Sequence, residues 1–438
     1  GGYPPVPNPK VPCLSPAWHA MVRHAAAECE RLGLALTAQN CAGWSTAGGP
    51  WITPDRAMFH VVCERQSVTN GGAVKLTAPP SWPVTGKTFY RDIAVLAFPT
   101  PPAYCGAAVL PAPKVTAGFG EGVDPGLLNR TEAEAKKSAA AVCGVASNRT
   151  GWVRFEFPEA VTCRSVSILG GGRECIEPEE HRPSVWASED GQAFRKVAQL
   201  ATFVCVYNCA EDSVTHAIPA TRARFFRLVW DGPVKVSLKR VAWGGEPVIT
   251  AHKAQVGDEG RTMVSEPELP EEAGEAVDPG QIREITGQLD AQGNLVWTAP
   301  AGAWTVLRVG FRGTGRGNAP APKEAQGPEC DKFDRETVAF HFDNYIGRIL
   351  AEARAAKSKA MKGVLVDSWE AGTQNWSPVF RDEFRKRRGY EVLPYLPAYA
   401  GFIVGSRERT RRYLRDARQT GSDLVSENFF GTLKTLGN

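Results

Sequence analysis

A chain of 438 residues is longer than one ordinary hydrophobic core, so two or three domains are expected. A hydrophobic fraction of 43% beside 22% charged residues excludes a disordered chain, and 51 basic against 47 acidic residues, net +4, single out no partner by charge. There is no apolar run of about 18 residues, which excludes a membrane-spanning helix.

Helix comes first. Ser15-Pro16 is an N-cap and N1 pair, Val22, Ala25, Ala26, Cys29 and Leu32 form one apolar stripe, and Gly33 ends it. Leu34–Ala38 is then a buried strand ending in polar Gln39-Asn40, and a helix followed at once by such a strand is the unit of a parallel α/β fold. The Gly-rich loop Cys41–Trp51, holding Trp44 and Trp51, follows the strand where barrel enzymes place their sites. The chain opens at Gly1 without a Met and is read as a fragment or a processed piece, so a missing signal peptide says nothing about its compartment.

From about residue 111 the pattern changes to short β-type runs: Trp152–Phe157, Arg164–Leu169, Ser184–Ser188, Phe194–Leu200, Val214–Ile218, Phe225–Trp230 and Val236–Trp243. Turn signals such as Glu189-Asp190-Gly191 separate them, the signature of an all-β sandwich inserted into the α/β chain. The stretches GWVRFEF, SVWASEDGQAFRKV and RARFFRLV resemble discoidin-like, galactose-binding-like sandwiches, a class that often binds sugars and is often only structural. Five of the eleven cysteines (Cys143, Cys163, Cys175, Cys205, Cys209) fall in this region. None has a zinc spacing; in an exported protein they could pair, and otherwise they are buried thiols.

Residues 247–280 read as a connector. Leu295–Trp297 and Trp304–Phe311 are expected to form a hairpin-like pair around Pro300-Ala301-Gly302, followed by a polar loop that ends in Gly327–Lys332. Val338, Phe342, Tyr345 and Ile349 mark a helix, Val364–Val366 a buried strand ending at Asp367-Ser368-Trp369-Glu370, and two helices follow at about 378–388 and 407–430. The basic run Arg385–Arg388 reads as a solvated helix end favoured by the dipole, with a nucleic-acid patch as the alternative. The alternation fits α/β architecture, a partial (β/α)8 TIM-type barrel interrupted by the sandwich, although a doubly wound sheet alternates too. The expected division is 1–110 (first part of the barrel), 111–246 (sandwich) and 247–438 (connector and continued barrel). Neither a phosphate-binding Gly motif after a strand nor a G-x-S-x-G elbow occurs, so nucleotide binding has no support and the nucleophile elbow of an α/β-hydrolase is absent.

Cleaving a glycosidic bond takes two carboxyl groups, one to protonate the leaving oxygen and one to activate water or attack the sugar. Glu370 suits the first role because it lies just past an apolar strand, beside Trp369 and three residues after Asp367; a second carboxylate nearby raises its affinity for a proton. Helix capping, or pairing with Arg381, is the structural alternative. Glu329 and Asp331 could hold a hard cation through oxygen ligands, or simply place charge before the helix at Val338. Asn40, Trp44 and Trp51 could hydrogen-bond and stack a sugar, or pack the loop. His341, His19 and His24 lie on helices and are expected to be satisfied surface or core histidines.

The stretches SPAWHAMVRHAAAECERLGL, NCAGWSTAGGPWITP, AGAWTVLRVGF, GPECDKF and GVLVDSWEAGTQNWSPVFRDEFRKRRGYEVLPYLPAYAG resemble glycoside hydrolase family 106, the α-L-rhamnosidases, over nearly the whole chain. The resemblance implies a (β/α)8 barrel with sandwich insertions, inversion at the anomeric carbon, and a calcium ion near the sugar hydroxyls. By its motif Glu370 would be the general acid, Asp367 and Trp369 would line the pocket, and the second carboxylate would lie beyond residue 438. The expected substrate is a rhamnose-containing oligosaccharide, polysaccharide or glycoside, and the expected location is periplasmic or extracellular. A different sugar, or carbohydrate binding without catalysis, are the competing expectations.

Overall fold

The computed structural model describes residues 11–43, 45, 47–69, 71–77, 83–84, 87–106, 109–118, 124–146, 151–170, 183–205, 213–231, 234–257, 261–265 and 268–437. Its principal elements are helix α1 (Pro16–Leu32), strands β1 (Leu36–Gln39), β2 (Phe59–Val68), β3 (Tyr90–Pro99), β4 (Gly151–Gly170), β5 (Ser184–Ser188), β6 (Val214–Trp230), β7 (Val234–Gly244) and β8 (Trp304–Gly313), then α2 (Arg335–Ala355), β9 (Met361–Leu365), α3 (Phe380–Arg388) and α4 (Arg407–Leu424).

The opening unit folds as its caps dictate. The Ser15 hydroxyl accepts the Trp18 amide proton at 3.2 Å, Pro16 occupies the first turn, and Gly33 at φ 68° closes the helix in the left-handed region. Trp18 and Val22 pack with Val338, Phe342, Tyr345 and Ile349 of α2, whose own N-cap is Asp334. β1 and β9 lie side by side in parallel, with Ala38 opposite Val364 and Gln39 opposite Leu365.

The barrel expectation holds only in its coarse form. Residues 59–99, expected to start the barrel, instead build an antiparallel sheet ordered Arg283–Glu284, β3, β8, β2. Among the described residues parallel pairing is confined to β1 with β9 and to Ala276–Val277 with Ile403–Val404. The fold is mixed α/β with mostly antiparallel sheets. The expected hairpin is also corrected: Leu295–Thr298 pairs with Ala73–Leu76, and β8 runs between β2 and β3. Both faces of β8 are covered. Leu307, Val309 and Phe311 meet Phe380, Phe384 and Tyr413, while Trp304 and Val306 meet Val74, Leu295 and Trp297.

A second, seven-stranded antiparallel sheet runs Arg195–Gln199, β5, β6, β4, β7, Val142–Ala146, with Lys114–Ala117 also paired to β4. Runs expected as separate strands fuse into long ones: Trp152–Phe157 with Arg164–Leu169 in β4, and Val214–Ile218 with Phe225–Trp230 in β6. Register shifts at Ala217/Thr221 and Ala223/Phe225 let β6 follow β4. Phe155, Phe157, Phe226, Leu228 and Trp243 fill its core. The expected connector 247–280 is partly ordered, since Arg261–Ser265 pairs with Thr202–Cys205 and His252–Gln255 forms a short helix. Cys163 is a buried free thiol, and Cys175 and Cys209 lie outside the described residues. The last expected helix stops as an α-helix at Leu424, and Val425–Phe430 continues as a π-helix.

Candidate functional site

The parallel pair brings two loops to one edge. Asn40, directly after β1, donates its amide proton to the Leu365 carbonyl at 2.8 Å, so residues 40–51 and 366–377 leave the strands together. Asn40 is buried, and His341 Nε2 lies 2.9 Å from its carbonyl oxygen. The Trp51 indole N–H, which can only donate, reaches His341 Nδ1 at 3.2 Å. The proton therefore sits on Nε2, and burial lowers the His341 pKa to about 4, leaving the ring neutral. The Trp51 ring stacks on Tyr345, 5.8 Å between centroids and 23° between planes, so at least one face packs against α2. Trp44 lies outside the described residues.

On the other loop Asp367 is exposed, while Trp369 and Glu370 are half-buried. The Ser368 hydroxyl donates to Glu370 Oε1 at 2.9 Å and the Ser368 amide to Asp367 Oδ1 at 2.8 Å. Neither structural alternative for Glu370 is realised. Arg381 faces Glu391 at 3.5 Å, the N-cap of α3 is Val379 with no side-chain cap bond, and among the described residues Glu370 makes no ion pair.

Beneath these loops lies a buried charged cluster. Lys332 Nζ is 2.6 Å from Glu329 Oε2, and both side chains are fully buried. Burial pushes the Glu329 carboxyl up, but the Lys332 ammonium outweighs it and holds the pKa below the usual value. The Ala47 amide also donates to Glu329 Oε2 at 3.2 Å, and Gly48 leaves room, since a Cβ there would lie 3.0 Å from Glu329 Oε1. Asp331 accepts from Ser377 Oγ (2.6 Å), the Phe333 amide (2.9 Å) and Gln374 Nε2. Burial nevertheless raises its pKa to about 7.

These two carboxylates do not fit a hard divalent cation. An ammonium already faces Glu329 Oε2 and three protein donors hold Asp331, whereas calcium takes six to eight oxygens from converging ligands. Nor do they supply the helix charge; Asp334 does, bonding the Glu336 and Thr337 amides. The sequence reading missed Lys332, Gln374 and Ser377. Only the spacing of Lys332, three residues after Glu329, hinted at an internal pair.

The profile of glycoside hydrolase family 106, described as alpha-L-rhamnosidase, matches residues 2–437. The chain belongs to this family. The solved structure of a rhamnosidase from Novosphingobium sp. PP1Y superposes with a TM-score of 0.76 at 27% identity, covering 100% of this chain and 41% of that one. A Formosa agariphila protein named "Putative beta-glucuronidase" is 27% identical over 435 residues, 99% of this chain and 25% of that protein. The family 106 chain thus spans about two fifths and one quarter of these two relatives. The basic run Arg385–Arg388 is taken up by acids: Arg385 by Asp382 and Glu391, Lys386 by Glu383, Arg387 by Glu383 and Glu427, Arg388 by Asp423.

Proposed function

We propose that the full-length protein is an exo-acting glycosidase that removes terminal α-L-rhamnose from plant polysaccharides or glycosides, with Glu370 as general acid. The observation that supports this most is the setting of Glu370. It is half-buried in the loop that follows the parallel strand pair, next to Trp369, and among the described residues it makes no ion pair and caps no helix. A general acid needs that combination of partial desolvation and access to a leaving oxygen. In this reading the sugar lies against Asn40, Trp44, Asp367 and Trp369, and Trp51 braces the pocket through His341 and Tyr345. Inversion requires a second carboxylate roughly 6.5–9.5 Å away, leaving space for water; we assign it to a part of the enzyme outside residues 1–438.

β1 and β9 are, in this proposal, two strands of a (β/α)8 barrel outside the antiparallel sheet of β2, β3 and β8, and 111–246 is a galactose-binding-like insertion. A calcium ion would take oxygen ligands other than Glu329 and Asp331, and the enzyme would work in the periplasm or outside the cell. The name of the Formosa relative favours a second reading, cleavage of a β-glucuronide.

Turnover of aryl α-L-rhamnoside, β-glucuronide and β-galactoside by the full-length protein separates these readings, and no turnover of any would favour a binding protein. Glu370→Gln is expected to lower turnover of substrates with poor leaving groups by roughly 10²–10⁴-fold, the scale of general acid catalysis. An undiminished rate removes the assignment. Chelation followed by restored activity on adding calcium is the expected result for the metal.

A further inference from the structure

The segment between β9 and α3 is anchored unevenly. Its far end is tied down: Asn375 Oδ1 accepts from the Val61 amide at 2.8 Å, the Asn375 amide donates to the Phe59 carbonyl at 3.2 Å, and Gln374 and Ser377 bond Asp331. Its near end, which carries Glu370, is bonded among the described residues through Ser368 alone, over short range. What holds that end sideways is Trp369, whose ring lies 4.7 Å from Lys332 Nζ.

Lys332 is enclosed on all sides. Its ammonium has one carboxylate oxygen, Glu329 Oε2, at 2.6 Å and one weak acceptor, Met58 Sδ, at 3.2 Å. The remaining direction meets aromatic faces, Trp369 first and Phe429 at 5.9 Å. A desolvated ammonium over an indole is attracted by the ring quadrupole and sets the position of the ring. For filling space alone an apolar side chain would serve without the desolvation cost of a buried charge.

We infer that Lys332, held by Glu329, is a positioning residue that fixes Trp369 and through it the adjacent Glu370. This rests on the reading of Glu370 as general acid. The reason it matters is geometric: an acid must stand within hydrogen-bond reach of the leaving oxygen, and a misplacement of about an ångström can cost about 10²-fold. The Lys332 ammonium bonds Glu329 and Met58, whereas Glu370 is bonded by Ser368, so removing the cation loosens the acid without deleting any group that bonds it.

The test compares an alkyl rhamnoside, whose leaving group needs protonation, with a dinitrophenyl rhamnoside, whose leaving group does not, in the full-length protein. Lys332→Met is made together with Glu329→Gln, so that no buried charge is left unpaired. The expected result is a fall in kcat of about 10- to 100-fold on the alkyl substrate and less than about 3-fold on the activated one, with KM nearly constant. Trp369→Leu also removes a sugar contact, so KM should rise alike on both substrates; its kcat should still fall selectively on the alkyl substrate, and adding it to the double variant should cost no further kcat. Should the double variant not fold, Trp369→Leu alone carries the test, because the ion pair stays intact. Equal kcat losses on both substrates, no kcat loss on either, or additive kcat effects overturn the inference. If Glu370→Gln itself shows no leaving-group dependence, the general-acid reading fails; if it does and the Lys332 and Trp369 variants do not, only this inference fails.

Discussion

Burial keeps His341 neutral well below the pH at which an exposed histidine would charge. Its pKa is lowered to about 4 from the ordinary value near 6.5, so between those values the unfolded chain binds the extra proton and the folded one does not. Stability contributed by neutral His341 is complete above about pH 6.5 and is lost as the pH falls toward 4, by up to about 3 kcal/mol. Asp331, raised to about 7, acts with the opposite sign, since the folded state holds its proton and stability rises as pH falls through the same range. His341→Gln, which keeps a donor for the Asn40 carbonyl, isolates the histidine. Thermal unfolding from pH 7 to 4 should show a shallower acid loss for the variant than for the parent, and parallel curves would refute the assignment. The helical placement of His341 was readable from its position two turns into the helix, which left open whether it was a surface or a core group; burial decides for the core. Its partners were not, because Asn40 and Trp51 lie about 300 residues away and only folding joins them.

At the scale of elements, α1 is where local chemistry and structure agree most closely. Ser15→Ala should cost about 1 kcal/mol by leaving the Trp18 amide without its cap. Gly33→Ala should cost about 1–2 kcal/mol, a backbone cost alone, since an added Cβ would meet nothing within 4 Å. Denaturant titration of both variants measures these values, and effects under about 0.3 kcal/mol would show that tertiary packing, not the caps, holds the helix. β8 is the contrary case. Eight of its ten residues in succession are buried, so no alternation marks an inner face, and the nearest apolar run in sequence was the wrong partner. The bent strands β4 and β6 misled differently: polar residues at their register shifts resemble turns, yet the backbone passes through them still paired.

For the molecule as a whole, the parallel pair is unusually bare. Leu365, in β9, is 54% exposed although its strand alternates with helices as a buried one would. If β1 and β9 belong to a barrel, Leu365 is covered in the full-length protein. Leu365→Ser should then lower its stability by about 2 kcal/mol or more, against at most about 0.5 kcal/mol for a surface position. A thermal shift within the smaller range would overturn the barrel proposal. A separate check concerns the central sheet: Arg308, 2% exposed in β8, grips Asp92 with two bonds of 2.7 Å. Arg308→Met should cost about 1–3 kcal/mol in denaturant titration, because it takes the cation from the half-buried Asp92 and the donor from the Thr77 and Gly293 carbonyls.

Local information in the chain determined the main helices, the caps of α1 and most strand positions, because caps, periodicity and turn residues act within a few positions of themselves. Tertiary structure decided which strands pair, that residues 59–99 join an antiparallel sheet rather than a parallel one, and that Glu329 and Asp331 spend their charge on Lys332, Gln374 and Ser377. Those outcomes depend on burial and on partners distant in sequence, and the energy of a buried charge has no value until its neighbours are in place.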